Sequence, residues 1–102
     1  MFIRMLNFQI QENKRVDLIT IMDRMVPKIR ALKGCKDCVF ITHKGGDHYA
    51  LLVFWNSKEE AEAAAVFIGP QLIPALNKIS KETVSPRLYE VYRPASVLQE
   101  QQ

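Results

Sequence analysis

Cysteine, glycine and long apolar runs are all scarce in this chain. Two cysteines among 102 residues cannot staple a small domain, so Cys35 and Cys38 are expected as reduced thiols. The four glycines form no glycine-rich phosphate loop, and the residues contain no Ser/His/Asp set or paired-carboxylate constellation. No apolar run approaches the ~18 residues of a membrane span. The opening Met1-Phe2-Ile3-Arg4-Met5 lacks the shape of a signal peptide, because Arg4 and Asn7 interrupt it. A cytoplasmic protein with no membrane partner is expected. The formal charge is only +3, and lysine and arginine are scattered among the acids. Without a basic stripe, nucleic acid is not an expected partner.

What remains is 48% apolar, enough for one domain burying about two thirds of its unfolded surface. From Phe2 to Ile10 both parities are largely apolar, which predicts a strand covered on both faces. Asn13 is positioned to cap a helix whose stripe runs Leu18, Met22, Met25, Ile29, Leu32, with Pro27 inside it and Gly34 closing it. A hairpin follows, Cys38 to Lys44 and Asp47 to Trp55 around Gly45-Gly46. A two-residue loop sets His43 across from His48 and Phe40 across from Leu51.

The run Leu51-Leu52-Val53-Phe54 ends on the only tryptophan, Trp55. Ser57 and Glu60 then form a capping box, so a strand end, a helix start and the largest ring meet at one corner. The second helix is expected from Lys58 to about Ile68, broken at Gly69-Pro70. A separate helical piece, Gln71 to Ser80, is expected beyond it, and a last strand runs Arg87 to Arg93, ended by Pro94. Residues 95–102 read as a polar tail.

The order β-α-β-β-α-β is the split ferredoxin-like arrangement, an α+β fold with two helices on one face of a four-stranded antiparallel sheet. Two helices cover one face only. Apolar residues on the other face predict a homodimer with sheets facing each other.

Cys35-Lys36-Asp37-Cys38 has the spacing of a redox pair or half a zinc site. It follows a helix C-terminus, where no dipole lowers a thiol pKa, and Cys38 and His43 fall on alternate faces of one strand, so ordinary thiols are the simpler reading. Asn7 is an amide in the middle of a strand, suited either to a substrate oxygen in a dry pocket or to nearby backbone. Trp55 alone suits a core position equally well. Arg4, Tyr49, Arg87, Tyr89, Tyr92 and Arg93 are further candidates for anion or ring contacts.

The segment Leu52-Val53-Phe54-Trp55-Asn56-Ser57-Lys58-Glu59-Glu60-Ala61, with Asn7 on the first strand and the Leu32-Lys33-Gly34 turn, resembles the antibiotic biosynthesis monooxygenase family of dimeric α+β barrels. The likeness covers residues 1–94. Proteins similar to this family oxidise phenols or hydroquinones with O2 and without metal or flavin, and one branch degrades heme. The resemblance implies a cofactor-independent monooxygenase acting on a quinol or polyphenol. Asn7 and Trp55 would be the catalytic residues in one cavity between sheet and helices, and Met5, Tyr49 and Phe67 would contact substrate. No cofactor and no metal are implied. The heme branch uses a histidine on the helix after the tryptophan, where this chain has Ala64 and Ala65, which argues against heme. A tyrosine used by some quinol-oxidising relatives is also replaced, by Ala61 and Ala63 to Ala65. The alternative is a non-catalytic dimeric ferredoxin-like module that binds a small aromatic or hydrophobic ligand or regulates a partner.

Overall fold

The computed structural model describes residues 1–43 and 46–92. Its elements are β1 (Phe2–Gln9), α1 (Arg15–Arg30), β2 (Cys35–Thr42), β3 (His48–Trp55), α2 (Lys58–Ile79) and β4 (Arg87–Glu90). They form one antiparallel sheet in the order β2-β3-β1-β4, the ferredoxin-like α+β arrangement. Arg93, Pro94, the tail and the Lys44-Gly45 part of the turn lie outside the described residues.

Strand alternation sorts β1 into two sets. Leu6, Phe8 and Ile10 are buried with Tyr49, Leu51, Val53 and Trp55 of β3 against the helices. Leu18, Met25 and Ile29 of α1 and Leu72 and Leu76 of α2, all but sealed from solvent, fill the other side of that core. The other parity, with Ile3, Met5 and Asn7 on β1 and Ala50, Leu52 and Phe54 across from them, faces away from the helices. Ile3, Met5, Leu52 and Phe54 are half-buried there, and Asn7 is exposed. The hairpin register is the expected one, with Phe40 across from Leu51 and the His43 N–H donating to the His48 carbonyl.

Besides β4, which ends at Glu90 and leaves Val91 and Tyr92 outside the strand expected to run to Arg93, two local expectations need correction. Asn13 does not cap α1: its φ is 63°, and Lys14 takes the N-cap position without a side-chain cap. Asparagine tolerates the left-handed region, and here it turns the chain from β1 into the helix. The second correction is larger, because α2 runs unbroken over 22 residues through Pro70 and Pro74. Both prolines are exposed, so the carbonyls they leave without an N–H partner have water available. Gly69 lacks the Cβ that would clash with a following proline ring in the helical region.

The corner between β3 and α2 lies where expected, but the capping box is made in half: the Glu60 carboxylate accepts from the Ser57 hydroxyl and not from its backbone N–H. The Glu60 N–H donates to Ser57 Oγ at 3.2 Å, and Ser57 Oγ donates to Glu60 Oε1 at 2.9 Å. Gly34, at φ +85°, packs against the Glu60 carboxyl, and its carbonyl accepts the Asn56 N–H at 2.9 Å. The turn after α1 and the start of α2 therefore hold each other.

Candidate functional site

The helix-facing side of the sheet has two unlike ends. At the hairpin end Phe8, Phe40 and Tyr49 stack, with Phe40 and Tyr49 centroids 5.4 Å apart and planes within 5°, and Phe8 lies 6.1 Å from Tyr49. The Arg15 guanidinium donates to the Tyr49 hydroxyl at 2.7 Å. These rings fill their end of the core.

At the other end α2 presents small residues. Ala61, Ala64, Ala65 and Gly69 face Leu6, Leu51, Val53 and Trp55 across a pocket of about 250 Å³. Alanine favours the helix but cannot span the gap to the sheet, so the same residues that build α2 leave the space beneath it. A Cβ placed on Gly69 would meet no heavy atom within 4 Å. Ile29, Ile68 and Leu72 close the apolar walls, and Arg4 and Pro86 complete them.

Two polar features break this lining. Trp55 is 3% exposed, and its indole Nε1 is buried with no hydrogen-bond partner among the described residues. An unsatisfied buried donor costs about 1–3 kcal/mol, so an acceptor brought in by a ligand would recover stabilisation. The second feature is Arg4, half-buried and the single ionisable side chain among the described lining residues.

The structure separates most of the residues expected to share a cavity. Phe2 lies across from Trp55, and Asn7 across from Ala50, so Asn7 and Trp55 leave opposite faces of the sheet. The expectation of one cavity holding both is corrected on that ground. Met5 is half-buried on the open face, across from Leu52. Tyr49 shares a face with Trp55 but lies six residues along the strand, roughly 20 Å away at strand rise. It lines a second, shallower depression of about 340 Å³ together with Asn7, Ile41 and His48. Phe67 is 55% exposed on α2 and does not line the Trp55 pocket. Of the five residues, Trp55 alone lies there.

Arg4 and Leu6 take the positions on β1 that Asn7 was expected to occupy. The signal for them was parity: once Trp55 pairs with Phe2, the even-numbered residues of β1 share its face.

Both thiols sit where burial disfavours the thiolate. A bulge between Cys35 and Asp37 sets Cys35 across from Trp55 and Cys38 across from Val53. Burial pushes the Cys38 thiol up to about 12, and burial also raises Cys35. Among the described residues no three His, Cys, Asp or Glu side chains group to hold a metal ion.

With this geometry in view, similarity to solved structures becomes informative. The fold matches that of a putative antibiotic biosynthesis monooxygenase from Deinococcus radiodurans at a TM-score of 0.80 and 15% identity, covering 92% of this chain and 95% of that one. It matches SnoaB, a cofactor-independent oxygenase from Streptomyces nogalater, at 0.77 and 14%, covering 91% and 94%. Rv0793 from Mycobacterium tuberculosis matches at 0.77 and 15%, covering 92% and 97%. No family model matches the sequence, and no curated protein does. The chain therefore has the fold of the antibiotic biosynthesis monooxygenases, at identities that establish architecture alone.

Proposed function

We propose that this chain is a cofactor-independent monooxygenase that binds a small phenol or quinol in the Trp55 pocket. The observations that carry the reading are a largely apolar cavity under α2 with Trp55 in its lining, and the buried indole N–H of that residue without a partner among the described residues. An aromatic ring fits between the alanines of α2 and the sheet, and its oxygen accepts from Nε1. A volume of about 250 Å³, just below the usual range for ligand pockets, suits one ring or a fused pair.

In the chemistry this reading requires, a phenol with hydrogen at its para carbon is oxidised to a quinone. The ring gives four electrons to O2, one oxygen atom becomes the new carbonyl, and the other leaves as water. The protein's part is to exclude water, hold the ring and favour its anion. Among the described lining residues there is no carboxylate or histidine to act as base, and this favours the second reading, a module that binds an aromatic ligand without turning it over.

Homodimerisation belongs to the same proposal. The open face carries half-buried Ile3, Met5, Val39, Leu52 and Phe54 with exposed Ile41 and Tyr89, an apolar surface suited to a second copy. A cytoplasmic setting fits two free thiols. No helix among the described residues is long and apolar enough to cross a membrane.

Oxygen uptake with a panel of phenols carrying hydrogen at the para carbon tests the reading. Uptake with quinone formation in the wild type, abolished by Ala65→Phe, supports catalysis in this pocket. No uptake above buffer across the panel removes it.

A further inference from the structure

Arg4 occupies an odd place. Its neighbours across the sheet are Val53 on β3 and Leu88 on β4, and its neighbours along the same face of β1 are Phe2 and Leu6. Half-buried among these apolar side chains, it forms no ion pair with any carboxylate among the described residues. Other arginines of this chain do find partners: Arg30 bonds the Cys38 carbonyl at 2.8 Å and Arg15 the Tyr49 hydroxyl at 2.7 Å. A partly desolvated cation without a counter-ion is unfavourable, and the deficit is relieved by an anion from outside the chain.

The position of that cation narrows the ligand. Arg4 lines the same pocket as Trp55 and stands one alternation step from it across the β1–β3 pair, since Phe2 is the direct partner of Trp55. The remaining walls are hydrocarbon. A ligand satisfying all three features has an aromatic body, an ionised oxygen group for the guanidinium, and an acceptor for the indole N–H. Guanidinium presents a planar fork of donors that suits such an oxygen group better than an ammonium does.

We propose that the pocket selects aromatic anions over their neutral counterparts, with Arg4 as the selecting residue. This deepens the functional reading above and rests on the same pocket. A ring carboxylate and a phenolate share the chemistry that Arg4 recognises. For a phenol, the guanidinium charge also lowers the pKa of the bound hydroxyl, so that the anion forms without a dedicated base. Arg4 is then a specificity residue for binding, whatever reaction follows.

The test is calorimetric binding without oxygen, which separates it from turnover. Benzoate is compared with benzamide, and 4-cyanophenol is titrated below and above its own pKa. Wild type is expected to bind benzoate and the cyanophenolate at least about tenfold more tightly than their neutral forms, the effect of one charge-assisted contact. Arg4→Met, which keeps an apolar stem, is expected to erase the preference, and Arg4→Lys to retain part of it. Preference for benzoate alone assigns the site to carboxylates, and preference for the phenolate alone to phenols. Equal binding of charged and neutral forms in the wild type, a preference retained in Arg4→Met, or no binding by any probe overturns the proposal. Oxygen uptake can fail while this preference holds, and the reverse also applies, so the two claims fall separately.

Discussion

Arg4 and Trp55 leave the sheet on the same face, one strand apart and one alternation step along, where α2 sets Ala61, Ala64, Ala65 and Gly69 alongside Ile68 and Leu72. A charge, a buried N–H without a partner and a gap in the packing thus coincide. At the opposite end of the same face Phe8, Phe40 and Tyr49 stack on one another instead. The contrast between the two ends is what singles out the pocket.

Asn7 points to the open face, so Asn7→Ala should leave ligand affinity in the Trp55 pocket within about twofold of wild type, a difference of under ~0.5 kcal/mol. Its effect is expected on self-association instead, because removing an exposed amide makes that face more apolar. Calorimetry on the variant and sedimentation at several concentrations check both parts.

Gly34 should tolerate no side chain. At φ +85° an L-residue is strained, and a Cβ there would collide with the Glu60 carboxyl, which accepts from Ser57 Oγ at the N-cap of α2. Strain of about 1–2 kcal/mol adds to the loss of a cap worth about 0.5–2 kcal/mol. Urea unfolding of Gly34→Ala is expected to show a lower midpoint with an unchanged slope, and Glu60→Ala a smaller loss.

Asp47 ties three segments together. Its carboxylate accepts from Gln9 Nε2 at 2.9 Å and pairs with Lys81 Nζ at 2.9 Å. These hydrogen bonds, Lys81 foremost, hold its pKa below the ordinary value. A depressed folded pKa means that the contribution is complete above the unfolded value of about 3.9 and disappears as pH falls through the folded one. Thermal melting should therefore lose stability below that value, and Asp47→Asn should be less stable at neutral pH with a flatter acid limb.

Cys38 is fully buried, and its thiol is pushed up to about 12. Alkylation at pH 8 should label it roughly a thousandfold more slowly in the native chain than in urea, following the fraction of thiolate. Mass spectrometry of the labelled peptides separates it from Cys35.

The fold was open to sequence reasoning where local and long-range signals agreed. Ser57, Glu60 and Trp55 marked the β3–α2 corner, and Phe40 across from Leu51 fixed the hairpin register. Proline gave a misleading stop at Pro70, because solvent can serve the carbonyl it leaves free and Gly69 removes the steric conflict. The pocket was partly legible. Trp55 was visible as a ring at a corner, but Asn7 was set beside it from family pattern, although strand alternation assigns Trp55's face to Phe2, Arg4 and Leu6. The alanines of α2, first informative for the histidine and tyrosine they replace, proved to be what makes the cavity. Nothing in a single sequence says that a stretch of alanine will face a gap, since that depends on which helix side meets the sheet.

The most direct measurement is the fluorescence of Trp55, the only tryptophan in the chain, during anaerobic titration with a small quinol. The account predicts a saturable change in the wild type and in Asn7→Ala, and its loss in Ala65→Phe, whose ring would occupy the space under α2. No saturable change in the wild type, or an undiminished change in Ala65→Phe, would contradict it.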